Sequence, residues 1–262
     1  MGEKDYVIGI LDKTIAAGGL FLAVERGRLI GVSNFQEIAD GSAWLSMART
    51  DPDYRGKRVA GFLQKVMALH ARHMGIRKLR FLVNSSNTPS IRAAIRGGFQ
   101  PICETAHVSF TLRKKDSNKR KQMWPLRLSN SEVASIISSS SYLEKLNGYL
   151  GFGWHFEKAT VPAIRNASEK GKVYSFDGLK TVFLLGGAEA WDPSIDHGEF
   201  FVLKGTLGSI FKIIKDYGAS IELDSIGTFL PYNSYLIRTA LRENSFQLDP
   251  WADHGIVFER KI

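Results

Sequence analysis

The chain has 262 residues, of which 44% are hydrophobic and 23% charged, with one cysteine and a formal net charge of +9. That length suits one large domain or two modest ones, and the composition excludes a disordered or collagen-like chain. The single Cys103 excludes an internal disulfide and fits a reducing, cytoplasmic setting, while the lack of a long uncharged apolar run excludes a spanning helix.

Taken in chain order, Met1 to Asp5 does not read as a signal peptide. Tyr6 to Ala16 has helical spacing and stops at Gly18-Gly19, and Leu20–Val24 and Leu29–Val32 read as strands about an Arg26-Gly27 turn. A strand over Ala43–Ala48 follows the turn Asp40-Gly41. Val59, Phe62, Leu63, Val66, Met67 and Leu69 then form one apolar helix face ending near Gly75. A strand over Leu79–Val83, a helix over Pro89–Gly97 and a strand over Ala106–Leu112 close the first half. The run Arg113 to Lys121 holds the densest charge and reads as a solvated connector.

The second half repeats the plan. A helical region opens at Ser131-Glu132 and a second helix runs from Val161 to Lys170. Lys172 to Leu184 reads as a hairpin turning at Asp177-Gly178. A strand over Phe200–Leu203, a helix over Gly208–Tyr217, a strand over Ser220–Leu223 and a helix over Tyr235–Glu243 complete it. Ile91–Phe99 and Arg238–Phe246 match in type: helix, short turn, phenylalanine, strand.

The most informative segment is Asp51-Pro52-Asp53-Tyr54-Arg55-Gly56-Lys57-Arg58-Val59-Ala60, set between a strand and a helix. Successive backbone N–H groups, the positive end of a helix dipole and three cations make an anion site there, and a diphosphate is its natural guest. The overall charge suits an anionic cofactor or a solvated surface. It comes with no aromatic-studded RNA-binding motif, which disfavours nucleic acid as a partner.

Arg55 to Ala60 resembles the acetyl-CoA signature of the Gcn5-related N-acetyltransferases (GNAT), Gln/Arg-x-x-Gly-x-Gly/Ala, with Arg58 standing where the family has its middle glycine. Asn87 to Phe99 resembles the family's second block, with Asn87 at the position that faces the cofactor and Ala94 where many relatives keep an acidic tyrosine. The resemblance implies an α/β (α+β) mixed-sheet acetyltransferase fold in two tandem domains, the second degenerate. An acetyl-CoA-binding domain is expected over residues 1–113, lacking an obvious first strand and helix. A basic linker over 114–125 and a degenerate copy over 126–262 follow. Such partly degenerate tandems resemble mycothiol-synthase-like enzymes and histidine N-acetyltransferases.

The same resemblance implies that Ala48, Arg49 and Thr50 pair with pantetheine and that an N–H there polarises the thioester. Arg55, Gly56, Lys57, Arg58, Val59 and Ala60 would hold the pyrophosphate, with Asn87 beside the pantetheine arm. For the base, Ser46 stands where relatives often keep a glutamate, leaving Glu37 first and Asp40 second, or a water chain. Tyr54 and Cys103 are candidate proton donors, each with a packing role as the alternative. Lys204 to Gly208, the corresponding turn of the second half, reads as a phosphate loop or a degenerate one. Trp154-His155 and Trp191-Asp192 read as acceptor-cleft or core aromatics. The histidines show no zinc-site spacing, so no metal site is expected.

The expected activity is transfer of acetyl from acetyl-CoA to the amine of a small molecule such as an amino acid. Acetylation of a protein or nucleic-acid-associated amine, and CoA binding without catalysis, are the alternatives.

Overall fold

The computed structural model describes residues 6–112, 123–187, 196–220 and 222–262. The connector run over 113–122 and Trp191-Asp192 lie outside the described residues. The chain divides into two compact units, one of residues 6–102 with 257–262 and one of the other described residues between Cys103 and Ile256.

In the first unit, α1 (Tyr6–Ala16) buries Val7 and ends where Gly18 turns at φ +76°. Strands β1 (Leu20–Glu25) and β2 (Arg28–Glu37) form a hairpin whose two turn residues, Arg26 and Gly27, both take positive φ, as a type I′ turn demands. Strand β3 (Ala43–Thr50) is antiparallel to β2, and a 3₁₀ turn over Pro52–Tyr54 leads to α2 (Val59–His73). Val59, Leu63, Met67, Ala68 and Ala71 are the buried face of that helix, which lies across β1–β3. Its start sits so close to β2 that a Cβ on Gly31 would come within 2.6 Å of Val59 Cγ1, so only glycine fits.

Strand β4 (Lys78–Asn84) is parallel to β3, and α3 (Thr88–Arg96) leads into β5 (Gln100–Thr111). The C-terminal strand, Gly255–Lys261, neighbours β4. Phe258 on that strand stacks on Phe81, with ring centroids 5.8 Å apart, and Phe81 meets Phe99 edge-on at 4.7 Å. A strand from the far end of the sequence thus supplies core to the first unit.

The second unit contains β6 (Trp124–Pro125), α4 (Asn130–Ser139) and α5 (Ser141–Lys145), followed by the separate hairpin of β7 (Tyr149–Phe152) and β8 (His155–Lys158). Helix α6 (Val161–Glu169), β9 (Val173–Ser175), β10 (Val182–Gly187), β11 (His197–Lys204), α7 (Leu207–Ser220) and β12 (Ser225–Pro231) come next. They are followed by α8 (Ser234–Arg238), a π turn over Thr239–Glu243, β13 (Gln247–Leu248) and the C-terminal strand, β14. The sheet order is β5-β12-β11-β10-β9-β6, with β13 also on β5, and β11 and β12 run parallel across the α7 crossover. Phe183, Phe200, Phe211, Ile214 and Phe246 centre its core.

The strand expected over Ser220–Leu223 does not form. Helix α7 runs on to Ser220 and closes with Glu222 at φ +63° and the Leu223 N–H donating to Gly218 O, a Schellman-type stop, so the strand starts at Ser225. The turn expected at Asp177-Gly178 is wider than two residues. Asp177 accepts from the Thr181 N–H and hydroxyl at 2.8 and 2.9 Å, and β10 resumes only at Val182.

Candidate functional site

The site grows from a fault in β3. Val32 pairs with Arg49 and Asn34 with Ser46, so Ser33 alone faces Met47 and Ala48, and Met47 takes φ +56°. This is a β-bulge, a device that re-aims backbone groups and bends the strand. Ser33 Oγ donates to Ser46 O at 3.2 Å and Asn34 Nδ2 to Ser46 Oγ at 3.2 Å, which fixes both strands around the bulge. The parallel ladder between β3 and β4 holds only Ala43↔Leu79 and Trp44↔Arg80, although both strands continue. Beyond that point the two strands part. Parting strands leave backbone donors and acceptors facing a gap, which suits an extended, amide-bearing ligand arm. Ala48, Arg49 and Thr50 line the β3 side of the divergence, with Arg49 and Thr50 paired to β2 on their other edge.

The closed end of this V is pinned by Arg80. Its Nε donates to Glu259 at 2.7 Å and its Nη1 to Asp40 at 2.6 Å and Ser42 Oγ at 2.7 Å, with Arg80 and Asp40 almost wholly enclosed. Burial alone would lower the guanidinium pKa, but Glu259 and Asp40 outweigh it and raise it.

The open end leads to the basic turn. Asp51 accepts the Asp53 N–H at 3.0 Å, and Arg28 grips Asp51 and Asp53 at 2.8 and 2.7 Å. That N–H, with Arg28 beside it, holds the Asp51 carboxyl below its ordinary range. Gly56 takes φ +79° and Arg58 φ +64°, and Arg58 caps α2 without any side-chain hydrogen bond. Among the described residues the first N–H groups of α2, at Val59, Ala60 and Gly61, therefore have no intrahelical or capping partner, and the helix dipole adds positive potential. Arg55, Lys57 and Arg58 are exposed, with Lys57 Nζ 4.4 Å from the centre of the Tyr54 ring. These features fit an anionic diphosphate joined to an amide-bearing arm, the two parts of CoA.

The candidate proton carriers fall in different places. Asp40 is committed to Arg80. Glu37 is exposed at the end of β2, opposite Ala43. It stands four residues from Ser33, about 13 Å along a strand, so a proton passes between it and the bulge only through water or along a bound acceptor. Asn87 N-caps α3 through its carboxamide oxygen, 3.2 Å from the Ser90 N–H, leaving its amide nitrogen for a ligand. Tyr54 is bonded to Glu25, which raises its pKa. Ala94 and Cys103 are buried.

In the second unit, the turn at Gly205 is filled by protein. Tyr142 OH donates to Gly205 O at 3.2 Å, and Thr181 lies 3.0 Å from a Cβ at that position. Trp154 packs in the core, its ring 4.4 Å from His107 and 5.1 Å from Phe229.

Two histidines expected to be scattered, His107 and His197, come together with Glu199 in that unit. Glu199 Oε1 lies 2.8 Å from His107 Nε2 and 2.9 Å from His197 Nε2. Burial would lower the His107 pKa, but Glu199 and Asp249 outweigh it and raise it to about 9. Burial likewise opposes the charge on Glu199, which the two histidines nonetheless hold lowered. The only local signal was His197 and Glu199 at i, i+2 on one strand face; His107 is 92 residues from Glu199.

Residues 3–99 match the model of the acetyltransferase (GNAT) family. A candidate acetyltransferase from Thermoplasma acidophilum is 17% identical with a TM-score of 0.63, covering 98% of this chain and 84% of its own. A GCN5-related N-acetyltransferase from Sphaerobacter thermophilus is 11% identical with a TM-score of 0.54, covering 93% of this chain and 80% of its own. No curated protein sequence matches. The bulged strand, the parting strands and the basic turn all lie within the segment that matches the GNAT acetyltransferase model.

Proposed function

We propose that the chain is an acetyl-CoA-dependent N-acetyltransferase whose acceptor is the amine of a small molecule such as an amino acid. The observation that carries the cofactor half of this reading is the divergence of β3 from β4 beyond Trp44↔Arg80, leading from the Met47 bulge to the uncapped start of α2. Acetyl-CoA, when bound, supplies the activated acyl group. Arg55 and Lys57 bind its pyrophosphate by charge-assisted hydrogen bonds, with the N–H groups from Gly56 to Ala60. Backbone groups of Ala48, Arg49 and Thr50 orient the pantetheine arm, and the bulge at Met47 presents a fixed dipole to the carbonyl. The amide nitrogen of Asn87 is the polar group offered to the arm from α3. Glu37 takes the acceptor's proton through water.

The second unit is read as a degenerate copy of the first, its own turn closed by Tyr142 and Thr181. The small-amine reading rests on the sequence, whose basic charge comes with no aromatic-studded RNA-binding motif.

Two measurements test the reading. By calorimetry, Arg55→Glu and Lys57→Glu should each weaken acetyl-CoA binding at least about 10-fold, the loss of one charged hydrogen bond. Unchanged affinity would place the pyrophosphate elsewhere. CoA-thiol release across a panel of amino acids, polyamines and short peptides should depend on one small amine. Release only with peptides or an RNA-bound partner would move the acceptor to the macromolecular class, and binding without release would leave a CoA-binding module.

A further inference from the structure

We propose that His107, His197 and Glu199 form a binding site for a divalent first-row transition-metal ion, of the zinc class, in the second unit. The site is independent of the acetyl-CoA reading.

The geometry starts from strand register. His197 and Glu199 lie two apart on β11 and share a face, while His107 is on β5, two strands away across β12. The strand between them carries Gly227, opposite Glu199. A Cβ there would come within 2.8 Å of His107 Cε1 and Nε2 and 3.1 Å of Glu199 Oε1. The missing side chain is what allows ligands from β5 and β11 to meet over β12.

The donor set and its surroundings fit a cation. The three ligand atoms lie within 4.8 Å of one another. A tetrahedral ion with bonds near 2.0–2.1 Å would set its ligand atoms roughly 3.3 Å apart. The 2.8 and 2.9 Å separations would each widen by about half an ångström, and the third, between the two histidines and within 4.8 Å, would close by up to about 1.5 Å through side-chain rotation. Both imidazoles present Nε2 inward; His197 Nδ1 has Ser225 Oγ at 2.7 Å, while His107 Nδ1 has the Asp249 carboxylate nearby at 3.8 Å, beyond hydrogen-bond distance. An outer partner such as Ser225 fixes the tautomer and ring orientation of a metal-bound histidine. Glu199 is wholly buried, and its second oxygen, Oε2, has no hydrogen-bond partner among the described residues. A buried carboxylate oxygen left unpaired is costly, and a cation at the cluster compensates it. His197, at the first residue of β11, is the least enclosed of the three and marks the side from which an ion and a fourth, solvent ligand enter. Two imidazoles and one carboxylate suit zinc, cobalt or iron(II) better than calcium or magnesium.

The test uses the full chain stripped with chelator, with Co²⁺ as optical probe and Zn²⁺ in competition with a chromogenic chelator. We expect one ion per chain, visible d–d absorption of low-symmetry Co²⁺, and a rise in melting temperature with Zn²⁺. His197→Ala and Glu199→Gln should weaken binding by at least about 100-fold, and Ser225→Ala, which touches only the outer partner, by about 10-fold. His254→Ala, outside the cluster, should leave binding unchanged. Circular dichroism of each metal-free variant separates lost ligation from lost fold, and Ser225→Ala gives a mild variant in case the others unfold. Absence of Co²⁺ absorption and Zn²⁺ uptake in the folded, stripped chain would overturn the site and leave a buried His–Glu–His ion network. Equal affinity in His197→Ala and the unaltered chain would overturn it by placing the ion elsewhere.

Discussion

Replacing Arg80 with methionine tests the hinge of the proposed cofactor slot. Arg80 sits at the last paired position of the β3–β4 ladder and joins Asp40, in the β2–β3 turn, to Glu259 on the C-terminal strand. The side chains of Arg80, Asp40 and Glu259 are 1%, 3% and 9% exposed, so water does little to screen the charges. Removing the cation leaves two enclosed carboxylates without their partner, and breaking a buried pair in this way costs about 3–5 kcal/mol. That is a large share of the roughly 5–15 kcal/mol that holds a domain folded. With a urea slope of about 2 kcal/mol per molar, the midpoint of the first unit should fall by about 2 M.

Urea denaturation followed by hydrogen exchange over residues 78–84 assigns the loss to this unit and not to the other. The triple variant Arg80→Met, Asp40→Asn, Glu259→Gln removes the stranded charges and should recover more than half of the loss. A loss under about 1 kcal/mol for Arg80→Met, the value of an exposed pair, would refute the reasoning. So would a triple variant as unstable as the single one, since lost packing, and not stranded charge, would then account for the loss.

Other changes probe neighbouring parts. Arg58→Gly replaces a side chain at φ +64° with the residue that accepts this conformation, and should raise stability by up to about 1 kcal/mol in thermal melts; a fall would mean that the arginine makes a compensating contact. Ala94→Tyr should cost about 1–3 kcal/mol through overpacking, without raising the acetyl-transfer rate, because Ala94 is wholly enclosed; a faster enzyme would show that the position reaches the reacting atoms. Gly227→Ala drives a methyl into His107 and Glu199 and should both lower the melting temperature and abolish cobalt absorption; retention of the absorption would separate the cluster from the glycine.

Much of the first unit was legible in the sequence because its signals are local. The helix over Tyr6–Ala16, the Arg26-Gly27 turn and the uncapped basic start of α2 each follow from residues within a few positions of one another. The bulge was not legible. Its positive φ falls on Met47, a residue type with no preference for that conformation, and tertiary pairing with Ser33 imposes it. Asp40 looked available as a base because nothing near it in sequence announces Arg80, 40 residues on. The strand misplaced at Ser220–Leu223 shows the opposite limit, where a short stretch was taken up by the end of a helix that runs on to Ser220 and by the turn that stops it. The metal cluster required the fold itself, since its ligands come from strands separated by a third.

The placement of β14 has a consequence for how the chain comes to be built. Arg80 waits 179 residues for Glu259, so the sheet that carries the proposed cofactor slot has a gap beside β4 while the second unit is being made. At about 5–20 residues per second the wait lasts roughly 10–35 s on the ribosome. Throughout it Arg80 lacks Glu259, and the edge of β4 that β14 later covers is open to chaperones or to other nascent chains. The domain whose sequence is written first is therefore the last to be finished.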